Sequence, residues 1–284
     1  MSRIQRPLSR ASRTNPLDPP AGDAPSAIEA ALAGLVSPAP ATLAPAVLVE
    51  VGLADAWATL PSPLGEILVA WNGRGLSAIS LPVDPAAFEE HFVADHRRPL
   101  HRSAAVPPSL RRLIERRLAG DRRATVPLDL RGATDFEQAV WRKTLEIPHG
   151  EIRPYGWVAA EIGRPAAVRA VGTALGHNPI PLVVPCHRVV RSDGLLGNYS
   201  MGGPENKRRI LQVEGLDPDA LEAAARAGIR YVGSDTTHIV CLPTCHNARR
   251  ITAAHRVAFR GLRDATAAGY RPCRACRPAG SAAA

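Results

Sequence analysis

Leu182-Val-Val-Pro-Cys-His-Arg-Val-Val190 sets a thiol beside an imidazole inside a β-branched apolar run. Most single cysteines in such a setting are core residues, and apolar surroundings raise the thiol pKa and leave it inert. Reactivity needs a base or a positive charge close by, and His187 and Arg188 are the candidates. Neighbours on a strand point to opposite faces, and Pro185 lacks the donor a clean strand would use. Either Cys186 stands on a turn, or His187 reaches it indirectly, for example through a water.

Upstream, Thr134 is a good N-cap with Glu137 three residues on, the capping-box pattern. The helix it opens, Asp135 to Glu146, puts Phe136, Val140, Trp141 and Leu145 on one side, and Pro148-His-Gly150 stops it. Trp157 to Ile162 and Pro165 to Gly176 read as two further helices around a turn at Gly163, the order of a helix-turn-helix. Asn178-Pro179 leads into the cysteine stretch, followed by a Gly-rich loop (Gly194 to Gly203) and a helix from Glu205 to Val213.

Further back, Gly65 to Trp71 reads as a strand, Asn72-Gly73 as a hairpin turn and Leu76 to Leu81 as the returning strand. Residues 84–97 and 109–120 look helical, and Val126-Pro-Leu-Asp-Leu130 reads as a third strand. Together they make a small α+β unit. His91, His96 and His101 recur every five residues, which fits no single helix face, so they are read as surface residues without a metal. Residues 1–50 are read as a largely disordered extension, with a short helix around Ile28 to Leu35.

Pro185-Cys-His-Arg188 resembles the active-site signature of the O6-alkylguanine-DNA alkyltransferases. The likeness extends over Ala56 to Gly215 through Arg169-Ala-Val-Gly172, Asn178-Pro179, Gly197-Asn-Tyr-Ser200 and Glu214-Gly215, in the family's order. The resemblance implies a ribonuclease-H-like α/β domain over residues 54–132 and a helix-turn-helix catalytic domain over 133–216. It implies Cys186 as alkyl acceptor, His187 as base through a water, Glu214 as the group orienting the imidazole, and Tyr155 as donor to an extruded base. It further implies that Arg169, next to Ala170, fills the gap left in the DNA stack. Asn178 is then the hinge to the active-site segment, and Ser200 and Lys207 line the guanine pocket. Such a thioether is not hydrolysed, so each molecule acts once and without an organic cofactor.

Five cysteines are present, one alone and four as Cys241-x3-Cys245 and Cys273-x2-Cys276. An odd count without a secretion signal argues against a disulfide framework, and two close pairs suit a tetrahedral Zn2+ site. Thr236-Thr237, Cys241-x-Pro243-x-Cys245, Arg249-Arg250 and Gly269-Tyr-Arg-Pro-Cys273 through Pro278 resemble the Ada-type metal-binding domain, over residues 228–280. That resemblance implies that Cys241 is both a zinc ligand and an acceptor of methyl groups from backbone phosphotriesters. His238 and Leu242 stand where many relatives carry Gly and Arg.

The chain has 284 residues and a formal charge of +9, an excess that favours an acidic partner, with double-stranded DNA first. No apolar run approaches the roughly 20 residues of a membrane span. The expectation is a soluble, cytoplasmic, monomeric protein. The alternative reading is a damage-sensing DNA-binding or regulatory protein, against which the presence of Cys186 weighs.

Overall fold

The computed structural model describes residues 43–278. The helix expected at Ile28 to Leu35 lies outside the described residues. Helix α1 (Leu43–Glu50) falls in the stretch read as disordered. Pro45 sits in its first turn, where a missing N–H costs no helical hydrogen bond.

Strands β1 (Asp55–Ser62), β2 (Gly65–Asn72), β3 (Gly75–Ser80) and β4 (Leu100–Arg102) form one sheet in the order β3-β2-β1-β4. β1 and β2 pair antiparallel, as do β2 and β3, and β4 runs parallel to β1. Alternation of side chains divides the sheet into two apolar faces. Trp57, Leu68, Ala70 and Ala78 meet Phe88 and Phe92 of α2 (Pro85–His96). Leu60, Ile67, Val69 and Ile79 join Leu110 and Ile114 of α3 (Pro108–Leu118) and the core of the following domain.

Val126 to Leu130 is not the expected strand: a single bridge, Leu76 to Leu128, links it to the sheet. Pro127 has no N–H to continue a ladder, and its carbonyl instead accepts from Leu76 N at 2.9 Å. Gly75 is required there, since a Cβ would lie 2.3 Å from Pro127 O. His96 is not a free surface residue either. It stacks on Phe92 at 4.2 Å, and burial followed by the charge of Arg98 lowers its pKa.

The second domain opens with α4 (Asp135–Leu145), whose capping box is present as read: Thr134 Oγ1 accepts from Glu137 N at 3.2 Å and Glu137 Oε2 accepts from Thr134 N at 3.0 Å. Trp141 Nε1 donates to Ala174 O at 2.7 Å, fastening α4 to α6 (Val168–Gly176). Between them stand β5 (Arg153–Pro154) and α5 (Tyr155–Glu161), with Gly163 at φ +73° in the turn after α5. α6 begins three residues later than read, because Arg164 to Ala167 close a separate turn. A 3-10 turn at Cys186–Arg188 runs into β6 (Val189–Val190), which pairs parallel with β5, and α7 (Gly203–Val213) follows.

α8 (Pro218–Arg226), which the sequence reading passed over, leads to the C-terminal module. There β7 (Tyr231–Ser234), β8 (Ile239–Cys241), β9 (Arg256–Phe259) and β10 (Arg271–Pro272) form a sheet in the order β10-β8-β7-β9, with α9 (His246–Arg249) and α10 (Leu262–Ala267). The architecture is mixed α+β. No helix among the described residues is long and apolar enough to cross a membrane.

Candidate active site and metal centre

Cys186 stands on a turn, one of the two arrangements the sequence left open, and not on a strand. Its residue is 5% exposed, and burial pushes the thiol pKa up. Opposing that rise, Asn178 Nδ2 donates to Sγ at 3.2 Å, the Lys207 charge acts through space, and the backbone N–H groups of Cys186 and His187 add hydrogen bonds. Asn178 also donates to Val184 O at 3.0 Å and accepts from Ile180 N at 3.0 Å, so one buried amide clamps the whole approach to the cysteine. Leu182, at φ +72°, carries the chain through that bend.

His187 Nε2 lies 2.8 Å from Glu214 Oε1. Arg188 does not serve the thiol; its guanidinium grips both oxygens of Glu214 at 2.7 to 3.0 Å and donates to Ile147 O at 2.8 Å. Gly150 N adds a fourth donor, to Glu214 Oε2 at 2.9 Å. Burial alone would raise the Glu214 pKa, but the bonds from His187 and Arg188 outweigh it and hold the carboxyl well below the usual range. Burial pulls His187 down, with Glu214 opposing. His187 Nδ1 is buried and has no hydrogen-bond partner among the described residues. The ring of Tyr199 meets the imidazole edge-on at 6.2 Å.

Tyr155 is partly buried, and burial followed by the Cys186 charge raises its pKa. Lys207 is fully buried. Its ammonium donates to Val189 O at 2.7 Å, Leu196 O at 2.6 Å and Asn198 O at 3.4 Å, and burial lowers its pKa to about 8. It braces the loop after the cysteine to β6, directly after the Cys186–Arg188 turn. Arg169, Ala170 and Ser200 are exposed, the first two at the start of α6. Reading from sequence missed Gly150 and Tyr199. Pro148-His-Gly150 looked only like a helix stop, although a glycine there was the available signal: Gly150 has φ +68° and a Cβ would lie 2.8 Å from Glu214 O.

The sulfurs of Cys241, Cys245, Cys273 and Cys276 all lie within 4.8 Å of one another, buried. Tetrahedral Zn–S bonds of about 2.3 Å put sulfurs roughly 3.8 Å apart, so the donor set fits Zn2+. Bound zinc would hold all four as thiolates. Leu242 N donates to Cys276 Sγ at 3.3 Å and Asn247 Nδ2 to Cys273 Sγ at 3.5 Å. A cleft of about 550 Å3 lies away from Cys186, between Ile152 and Val190 of the second domain, Leu221 of α8, and Leu242 and Leu262 of the C-terminal module.

Two family models match the chain: the DNA-binding domain of 6-O-methylguanine DNA methyltransferase over residues 135–216, and the metal-binding domain of Ada over residues 221–279. The methylated-DNA–protein-cysteine methyltransferase of Mycobacterium tuberculosis is 41% identical over 160 residues, 55% of this chain and 90% of that protein. That of Haemophilus influenzae is 37% identical over 158 residues, 54% of this chain and 83% of that protein. The bifunctional transcriptional activator and DNA repair enzyme Ada of Escherichia coli is 39% identical over 166 residues, 57% of this chain and 46% of that protein. Among solved structures, the M. tuberculosis OGT in complex with DNA matches at 38% identity with a TM-score of 0.47, covering 56% of this chain and 92% of that one. The chain belongs to the methylated-DNA–protein-cysteine methyltransferase family and carries a C-terminal zinc-binding domain of the Ada type.

Proposed function

We propose that this protein repairs DNA by moving an alkyl group from O6 of an alkylated guanine to Sγ of Cys186, once per molecule. The observation that carries the reading is the buried His187–Glu214 pair on the same turn as that sulfur. Glu214 holds one ring nitrogen, and the other, Nδ1, is buried with no protein partner, free to take a proton through a water. The thiol proton passes to Nδ1, and the Glu214 carboxylate favours the imidazolium that results. Sγ attacks the alkyl carbon, an S–C bond forms, and the C–O6 bond breaks with its electron pair on the purine. Tyr155 supplies a proton to the departing base.

An alkylated guanine in a duplex is out of a thiol's reach, so it is extruded at a cost of a few kcal/mol. We read α5 and α6 as the helix-turn-helix, with exposed Arg169 as the wedge and its small neighbour Ala170 allowing close approach to the minor groove. Cys186 is 5% exposed, so the base enters as its surroundings part, with Ser200 at the exposed rim and Asn178 keeping the turn in place. The bonding of Lys207 supports a bracing role more than contact with O6. The order β3-β2-β1-β4 with β4 parallel to β1 supports a ribonuclease-H-like reading of the first domain.

A second acceptor is favoured by one contrast. Cys276 and Cys273 sulfurs receive N–H donors from Leu242 and Asn247, and Cys245 receives them from the backbone of Asn247 and Ala248, whereas no N–H bond to Cys241 Sγ occurs among the described residues, so its electron density would be least shared with zinc bound. We read Cys241 as the methyl acceptor for backbone phosphotriesters. Duplex DNA carrying labelled O6-methylguanine tests the main reading: label should pass to the protein to at most one methyl per chain. Binding without any label transfer would favour the damage-sensing alternative.

A further inference from the structure

Residues Gly150 to Pro154 form a strap that touches the catalytic centre at both ends and the zinc module in the middle. At one end, Gly150 N donates to Glu214 Oε2 at 2.9 Å. At the other, Arg153 and Pro154 pair with Val189 and Val190, directly after the Cys186–Arg188 turn. Between them, Glu151 Oε1 accepts from His246 N at 3.1 Å and meets the His246 ring at 3.2 Å, and Ile152 N donates to Thr244 Oγ1 at 2.9 Å. Trp157, in the helix that the strap leads into, donates from Nε1 to Cys276 O at 2.9 Å.

Every anchor on the zinc side is a ligand or the immediate neighbour of one. Thr244 and His246 flank Cys245, and the Trp157 acceptor belongs to Cys276 itself. The contact is not a loose surface one. Glu151, Ile152, Arg153, Trp157 and Thr244 are each under 9% exposed, and Glu151 pairs with Arg153 at 2.5 Å inside it. A buried carboxylate and buried N–H groups must keep their partners, since leaving one unpaired costs more than the bond itself contributes. Arg277 adds an outer tie, at 2.7 Å from Glu161 and 5.7 Å from the Trp157 ring.

We propose that Glu151 and Thr244 are positioning residues for the transfer at Cys186: the zinc-ordered loop holds the strap, and the strap fixes Glu214 and the turn that carries His187. This rests on the reading of Cys186 as the acceptor. Zinc would act here by fixing ligand backbone positions, with no part in the O6 chemistry. Loss of zinc or of the Thr244 bond then loosens Gly150 and β5 against the catalytic turn. A misplacement on the order of 1 Å at the base suffices for a large fall in rate.

The test uses the full chain with zinc bound and three proteins: wild type, Thr244→Val and Thr244→Ser. Valine keeps the shape and removes the acceptor for Ile152 N, and serine restores it. Measured are the single-turnover transfer rate at saturating methylated duplex, the DNA concentration for half saturation, zinc content, and amide hydrogen exchange over residues 149–155. The expected result is a rate about tenfold lower for Thr244→Val. Half saturation and zinc content stay unchanged, exchange over the strap is faster, and Thr244→Ser recovers. Zinc removal from wild type should produce the same faster exchange at Gly150 and Ile152. A Thr244→Val rate equal to wild type, or a strap that stays protected after zinc removal, overturns the inference. If Thr244→Val loses zinc or fails to fold, Glu151→Gln is measured in its place against the same criteria. Absence of transfer in wild type would instead fail the reading of Cys186.

Discussion

The chain holds two cysteine sites that solve one problem differently. A buried thiol resists ionisation, and both Cys186 and Cys241 are buried. At Cys186 the remedy is organic: the Asn178 amide on the sulfur, the Lys207 charge nearby, and an imidazole tied to a carboxylate that three groups hold ionised. At Cys241 the remedy is a metal site, in which three further thiols surround the sulfur and one cation can balance them. The first arrangement depends on the positions of residues from Gly150 to Glu214 and can be broken at many points. The second is compact and depends on four ligands. Substitution of a sulfur should therefore act on its own site, whereas loss of the metal should also reach Cys186 through the Gly150 to Pro154 strap.

The largest effect is expected at the acceptor. Cys186→Ala should abolish transfer from O6-methylguanine while a gel-shift assay finds DNA affinity retained, and any label reaching this variant from phosphotriesters should reside on Cys241. Residual O6 transfer would erase the distinction between the sites.

Glu214→Gln comes next, with a transfer rate about 100-fold lower in single-turnover kinetics. Stability should fall too, by about 3 kcal/mol in urea denaturation, because Arg188 is left buried without its counter-charge. The folded pKa of Glu214 lies below its unfolded value, so its stabilisation is present above about pH 4.3 and is lost as pH falls through the folded value. The acid limb of the wild-type stability curve should be steeper than that of Glu214→Gln; superposable limbs would count against this account of the carboxylate.

Arg169→Ala should slow transfer from duplex DNA by about tenfold while sparing transfer from single strands, where extrusion costs little. Equal losses on both substrates would remove Arg169 from the wedge role. Thr134→Ala is the smallest expected change, costing about 1 kcal/mol of stability through loss of the capping box, with transfer unaltered at a temperature where the variant is folded.

What the sequence made legible was local chemistry. Asn72-Gly73 located the hairpin, Thr134 and Glu137 the start of α4, and Pro185 spoke against a strand at Cys186. The four paired cysteines announced their cluster by spacing alone. Less visible was whatever depends on a distant partner. β1 carries Pro61 and two alanines, and it is a strand because β2 and β4 pair with it on either side. Val126 to Leu130 had a strand's composition, but Pro127 left it only one bridge. Lys207 looked like a pocket residue, whereas its ammonium serves three carbonyls that no local pattern names. The strap from Gly150 to Pro154 was hidden for the same reason, because its partners lie tens of residues further on.

The most direct measurement is peptide mass mapping of the full chain after exposure to duplex DNA whose sole lesion is O6-methylguanine. The account predicts one added methyl on the peptide holding Cys186 and none on the peptide holding Cys241. An unmodified Cys186 peptide alongside demethylated DNA, or the methyl found on a zinc-cluster cysteine, would contradict it.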